Sequence, residues 1–236
     1  SGYGMTLTKN EDYWQTDESL RYSWGKTNVD QIDYIVISEP AQMAIALQTG
    51  TIDIAVTLDG SIVPEFYQDG ESIGDFYVYP QEGGTVADVC FNCDPSSVCS
   101  NLLVRQAILY AINSADVRQA FVGEFGFELN AFAPPVAGDY QEEWDNRDYY
   151  GYNVDKAKEL LAEAGYENGL DITLMCRNVP PFVLSSQVIQ ANLAAVGINV
   201  TLFTPEDALY DTACADPSAY DMWFDLCGCD DYCTFP

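Results

Sequence analysis

The sequence predicts an α/β fold, on three observations. Short β-rich apolar runs alternate with segments of helical periodicity along the whole chain. Proline near the start and glycine just past the end punctuate several of the helical segments. Apolar residues make up 48% of the 236 positions, and 16 Tyr, 11 Phe and 4 Trp are too many aromatics for a disordered chain.

The elements follow in order. VDQIDYIVI (29–37) is a β-rich run. EPAQMAIALQTG (39–50) is predicted helical, with Pro40 in its first turn, Met43, Ala44 and Leu47 on one face and Gly50 at its end. TIDIAVTL (51–58) is predicted as a strand, SIVPEFYQDG (61–70) as a short helix and DFYVYP (75–80) as a strand. TVADVCFNC (85–93) is another strand. SNLLVRQAILYAIN (100–113) is an amphipathic helix with Ser100 as its expected N-cap, and Asn113 or Ser114 caps a further helix that ends at Gly123. Residues 124–152 are rich in Gly, Pro and Tyr and read as a long irregular stretch. From residue 153 the pattern is α-β-α-β-α-β: helix 153–166 with Asn153 as N-cap and Gly165 past its end, strand 170–176, helix 180–197, strand 198–203, helix 206–216 and strand 219–226. The Gly pair in QEGGTV (81–86) marks the expected division into two domains, 1–84 and 85–236.

Charge and composition exclude several functions. Nine basic residues face 37 acidic ones, for a net charge of −28. Nucleic acid is excluded as a partner, because phosphate binding rests on Lys and Arg. Such a field suits an acidic surface or a preference for cationic ligands. No apolar run approaches the roughly 20 residues that span a bilayer. The opening SGYGMTLTKN has neither a basic head nor an apolar core, so no signal peptide is expected within this sequence. His is absent, which removes Ser-His-Asp and Cys-His catalysis and imidazole metal ligation, and no cofactor is expected.

The eight cysteines leave three readings open: local disulfides, free thiols or a soft metal. Cys93 and Cys99 flank a DPSSV turn that a disulfide could close. Cys227, Cys229 and Cys233 lie within seven residues of one another.

Five strings carry a resemblance: LTKNEDYW (7–14), DQIDYIVISEPAQMAIALQTGTIDIA (30–55), FNCDPSSVCSNLLVRQAILYAINSADV (91–117), NVDKAKELLAEAGYENG (153–169) and YDMWFDLCGCDDY (220–232). In this order the chain resembles the extracytoplasmic solute-binding proteins of peptide and nickel ABC transporters, the dipeptide/oligopeptide-binding group. The resemblance implies a periplasmic-binding-protein-like fold of two lobes that close on a ligand. It implies a partial chain, with 1–84 a return segment of the first lobe and 85–236 most of the second α/β lobe. It implies a small peptide as ligand, a membrane permease and the remainder of its own chain as partners, and an extracytoplasmic site, periplasmic or as a cell-surface lipoprotein.

Ligands of open α/β sheets sit at the carboxyl ends of the strands. In the family, an aspartate before a Tyr in the loop after the last strand pairs with a peptide's α-ammonium. By position that is Asp231, followed by Tyr232. Asp230 shares the role or is solvated. The sequence departs from the family around it: Cys227-Gly228-Cys229 stands before the aspartates and Cys233-Thr234-Phe235-Pro236 after the Tyr. A Cys229–Cys233 disulfide would rigidify this loop. Arg177, Asp88 and Cys90 are expected at or beyond strand ends facing the cleft, Arg177 either holding a ligand carboxylate or decorating the surface. Arg105 is expected to pair with an acid, and Tyr149, Tyr150 and Tyr152 to pack a loop rather than form a sugar platform. The competing functions are a carboxylate-based glycoside hydrolase, a structural or adhesive surface domain, and a binding protein for a glycan or metal chelate.

Overall fold

A computed structural model describes residues 4–15, 17, 19, 28–56, 58–80, 85–131, 133–138 and 140–228. The chain divides into two units, residues 1–78 and 79–236.

The first unit is slight. Strands β1 (Gly4–Thr8) and β2 (Gln31–Ile35) form an antiparallel two-stranded ribbon in which Thr6 faces Asp33. Every residue of both strands is exposed. Helix α1 (Pro40–Gln48) starts on Pro40 and buries Ala44 and Ala46. A short 3-10 turn (Val63–Glu65) leads into the hairpin β3 (Tyr67–Gln68) and β4 (Glu71–Ser72). The core is Ala44, Ile62 and Phe66, with Met43, Leu47, Leu58, Phe76 and Val78 packed around it. Phe76 meets Phe66 edge-on, with ring centroids 4.9 Å apart. Three expectations fail here. The described residues of 51–58 form no strand, 61–70 is a 3-10 turn and a hairpin rather than a helix, and 75–80 is irregular. Among the described residues their apolar side chains join no sheet: Ile54 is 79% exposed and Tyr77 83%.

The second unit is built on a four-stranded sheet in the order β5-β8-β6-β7. It contains β5 (Thr85–Phe91), α2 (Leu102–Ala111), α3 (Ser114–Phe121), the single turn α4 (Glu142–Asp145), α5 (Val154–Glu163), β6 (Leu170–Cys176), α6 (Pro180–Ala194), β7 (Ile198–Phe203), α7 (Asp207–Cys214) and β8 (Met222–Gly228). Strand β6 runs parallel to both β7 and β8, and β5 antiparallel to β8. The alternation of side chains defines two faces. Leu170, Ile172, Leu174, Cys176, Ile198, Val200, Met222 and Phe224 point to one face and are buried in the main core. Helix α2 packs on α5, α3 on α6, and α6 on β7 to cover it. On the opposite face Met175, Phe203 and Trp223 pack with Tyr210 of α7 and Tyr220.

Capping explains the helix limits. Asn101, not Ser100, caps α2, its side chain accepting from Leu103 N at 2.9 Å. Ser100 instead ends a 3-10 turn and donates through Oγ to Ser97 O. Asn113 caps α3 and Asn153 caps α5, as their positions predict. After α5, Gly165 takes φ +87°, and Tyr166 N reaches back to Leu161 O at 2.8 Å, the bond that closes a helix through a left-handed residue.

The Cys93–Cys99 disulfide is not formed; both residues are thiols. Cys99 is wholly buried in the main core, whereas Cys93 is exposed, its Sγ 3.7 Å from Phe91 O. Hydrogen bonds close this turn instead: Ser96 N and Oγ both donate to Asp94 Oδ1, and Ser97 N to Asp94 O. Among the described residues Arg105 pairs with no acid. Its guanidinium donates to the carbonyls of Cys99, at 2.7 Å, and Ser100, at 3.0 Å.

Candidate functional site

Because β6, β7 and β8 are parallel, their carboxyl ends lie along one edge of the sheet. The register fixes what meets there. Cys176 pairs with Phe224, so Arg177, one residue beyond β6, comes level with Asp225 of β8. Arg177 donates through Nε to Asp225 Oδ1 at 2.9 Å and through Nη2 to Asp225 Oδ2 at 3.3 Å. Tyr210 donates its hydroxyl to the same Oδ2 at 2.8 Å, and Leu226 N to Oδ1 at 2.8 Å. The guanidinium also lies over the Tyr210 ring, 4.3 Å from its centroid. Three elements, the end of β6, α7 and β8, thus converge on one carboxylate.

Electrostatics follow the bonding. Burial alone would raise the pKa of Asp225, whose side chain is 17% exposed, but the bonds from Arg177, Tyr210 and Leu226 N outweigh it and hold it below the usual carboxylate range. The arrangement pushes the Tyr210 phenol up, by burial first and by its bond to Asp225 second. Across the antiparallel pair Asp88 stands directly opposite Asp225. Burial, with the Asp225 charge adding to it, raises the pKa of Asp88, and a bond from the Cys90 thiol at 3.5 Å opposes the shift. Burial and then Asp88 push the Cys90 thiol up to about 12, so it is a poor nucleophile.

The structure therefore brings together Arg177, Asp88 and Cys90, though Asp88 and Cys90 lie within β5 rather than at its end. It adds Asp225 and Tyr210, which the sequence reading missed. A signal for Asp225 existed: in AYDMWFDL the alternation turns Met222 and Phe224 inward and Asp225 outward, a lone charge late in an apolar strand. Tyr210 gave none beyond a place on an amphipathic helix. Cys229, Asp230, Asp231, Tyr232 and Cys233 lie outside the described residues. Tyr150 packs edge-on against Tyr110, with centroids 5.4 Å apart, as loop packing requires.

The other end of β8 bears a recess lined by Ser96, Ser97, Thr173, Pro217, Ser218, Tyr220 and Asp221. Asp221 accepts from Ser97 Oγ at 2.8 Å and from Thr173 N at 2.9 Å, and these bonds tie the turn after β5 to β6. Among the described residues no group of His, Cys, Asp or Glu is placed to hold a metal ion, and no helix is long and apolar enough to cross a membrane.

Residues 1–231 match the family described as bacterial extracellular solute-binding proteins, family 5, middle part. The chain belongs to family 5 of these solute-binding proteins. Heme-binding protein A of Haemophilus influenzae is 27% identical over 208 residues, 84% of this chain and 37% of that protein. The dipeptide-binding protein of Escherichia coli is 26% identical over 204 residues, 82% of this chain and 37% of that protein. Among solved structures, the Helicobacter pylori periplasmic binding protein DppA in complex with peptide STSA superposes with a TM-score of 0.74 at 28% identity, covering 95% of this chain and 40% of that one. The chain thus spans well under half the length of these relatives, and its fold is the α/β fold of family 5 periplasmic binding proteins. Family 5 proteins are binding components of ABC importers, and the match gives the glycoside hydrolase reading no support.

Proposed function

We propose that this chain is part of the extracytoplasmic substrate-binding component of an ABC importer, which captures dipeptides or oligopeptides between two lobes and delivers them to a membrane permease without catalysis. Residues 1–84 contribute to the first lobe and 85–236 form most of the second. The observation that carries the reading is the shared edge where β6, β7 and β8 end, with β8 running directly into the Asp230-Asp231-Tyr232 segment. Asp231 takes the peptide's α-ammonium in a charge-assisted bond, with Cys229, Asp230 and Tyr232 around it. A net charge of −28 favours that cation. The protein acts outside the cytoplasm, in the periplasm or as a surface lipoprotein.

Arg177 stays among the ligand contacts of this reading: its guanidinium gives two of its five N–H donors to Asp225, and its side chain is 41% exposed. Asp88, half-buried and opposite Asp225, completes the contacts of this reading. A second reading, a non-peptide solute, is favoured by the likeness to a heme-binding relative. Isothermal titration of the full-length protein with di- to hexapeptides, heme and a nickel chelate separates the two. Saturable heat with peptides alone supports the first reading, and heat with heme or the chelate alone overturns it.

A further inference from the structure

The recess at the start of β8 has a volume of about 220 Å³, and its chemistry is one-sided. Five hydroxyls line it, and four of them direct their protons into the protein. Ser96 Oγ donates to Asp94 Oδ1, Ser218 Oγ to Asp216 Oδ1, Ser97 Oγ to Asp221 Oδ1 and Tyr220 Oη to Cys214 O. The bonds from the Ser96 and Ser218 hydroxyls hold the carboxyls of Asp94 and Asp216 below the usual range, so both stay ionised and keep the serine protons. The backbone N–H groups of Ser96, Ser97, Thr173, Ser218 and Asp221 are also bonded to protein oxygens, and Pro217 has none. These hydroxyls therefore offer the recess lone pairs rather than protons, a lining that suits a cation and not an anion.

Charge points the same way. Asp221 is half-buried, and among the described residues no Lys or Arg pairs with it. Asp225, further along the same run, has Arg177. Asp221 has only two neutral donors, Ser97 Oγ and Thr173 N. Partial burial makes a cationic partner worth more to a carboxylate than it is in open water.

We propose that this recess binds a hard monovalent cation, Na⁺ or K⁺, through the Asp221 carboxylate and the oxygens of Ser96, Thr173 and Ser218. One carboxylate balances one positive charge, whereas calcium or zinc asks for several acids or thiols that the lining does not contain. The ion ties the turns at 94–97 and 216–218 to β6. The site lies at the opposite end of β8 from Asp225, so it does not depend on the peptide reading.

Thermal unfolding of the full-length protein at constant ionic strength tests the site, with choline chloride exchanged for NaCl or KCl. The melting temperature is expected to rise with Na⁺ or K⁺ and to saturate, and Asp221→Asn is expected to lose the rise. Any salt screens a net charge of −28, and the choline reference subtracts that effect. A rise that survives in Asp221→Asn, no rise in the parent, or a response to Ca²⁺ or Mg²⁺ alone overturns the proposal. If Asp221→Asn does not fold, Ser218→Ala takes its place, since it leaves the bonds of Asp221 to Ser97 and Thr173 intact. It is expected to raise the half-saturating concentration about tenfold, and an unchanged value overturns the site. Crystals of the full-length protein grown in rubidium chloride are expected to show an anomalous-scattering peak in contact with Asp221. A recess without that peak contradicts the assignment.

Discussion

The two units of the chain treat similar apolar material in opposite ways. In residues 79–236 a sheet packed by α2, α3, α5 and α6 buries Leu174, Ile189, Leu193 and Met222 completely. Among the described residues of 1–78 the packed core is the cluster Ala44, Ile62 and Phe66, while Met5, Leu7, Ile32 and Tyr34 of the β1–β2 ribbon stay exposed. Burial, not propensity, decides which apolar runs become regular elements. A two-stranded ribbon gains little by itself, and an irregular segment such as that around Ile54 gains nothing from extending.

The sharpest way to break this comparison is to cut the larger core. Leu174→Ala should destabilise the second unit by about 2–5 kcal/mol in chemical denaturation, because it opens a cavity in a fully packed site. Met5→Thr, on the exposed ribbon, should change the stability of this chain by no more than about 0.5 kcal/mol. Equal losses in the two variants would refute the contrast.

Removing the Arg177–Asp225 contact comes next. Arg177→Ala should cost about 1–3 kcal/mol, the range for hydrogen bonds to a charged group, since it strips two bonds from a half-buried carboxylate and leaves Asp88 and Asp225 face to face. The pH dependence sharpens this. The folded pKa of Asp225 is lowered, so its contribution is complete above the ordinary aspartate pKa and is lost as pH falls through the folded value. The folded pKa of Asp88 is raised, so its effect has the opposite sign: stability falls as pH rises from the ordinary value through the folded one. Melting curves from pH 7 down to about pH 3 should therefore show Asp225→Asn losing less on acidification than the parent. Parallel curves would contradict the assignment.

Smaller effects test the caps and thiols. Asn101→Ala should cost about 1 kcal/mol, whereas Ser100→Ala should cost less because Ser100 caps no helix. Cys93 should react with an alkylating reagent in the native protein with no change in melting temperature, and Cys99 only after unfolding. Simultaneous labelling would show that the 93–99 turn opens readily.

The same contrast sets how much could be read from the sequence. Strands 170–176 and 198–203 and the caps Asn113 and Asn153 follow from local pattern, because there the pattern and the buried face agree. The predicted strand at 51–58 fails: its described residues pair with no described strand and leave Ile54 and Val56 exposed. The site was legible as single residues but not as a contact. Arg177 and Asp88 stood out as charges beside apolar runs, yet their meeting around Asp225 depends on the β5-β8-β6 order, which places β8 between strands that precede it in the chain. No local pattern encodes that register. The Cys93–Cys99 spacing misled for the same reason: the main core, not the turn, claims Cys99.

A crystal structure of the full-length protein with a bound tripeptide tests the central claim most directly. The account predicts an intact peptide at the edge where β6, β7 and β8 end, its ammonium about 3 Å from the Asp231 carboxylate, with Arg177 still bonded to Asp225. A ligand held elsewhere, a cleaved peptide, or an Arg177 that has left Asp225 to grip the peptide's carboxylate would contradict it.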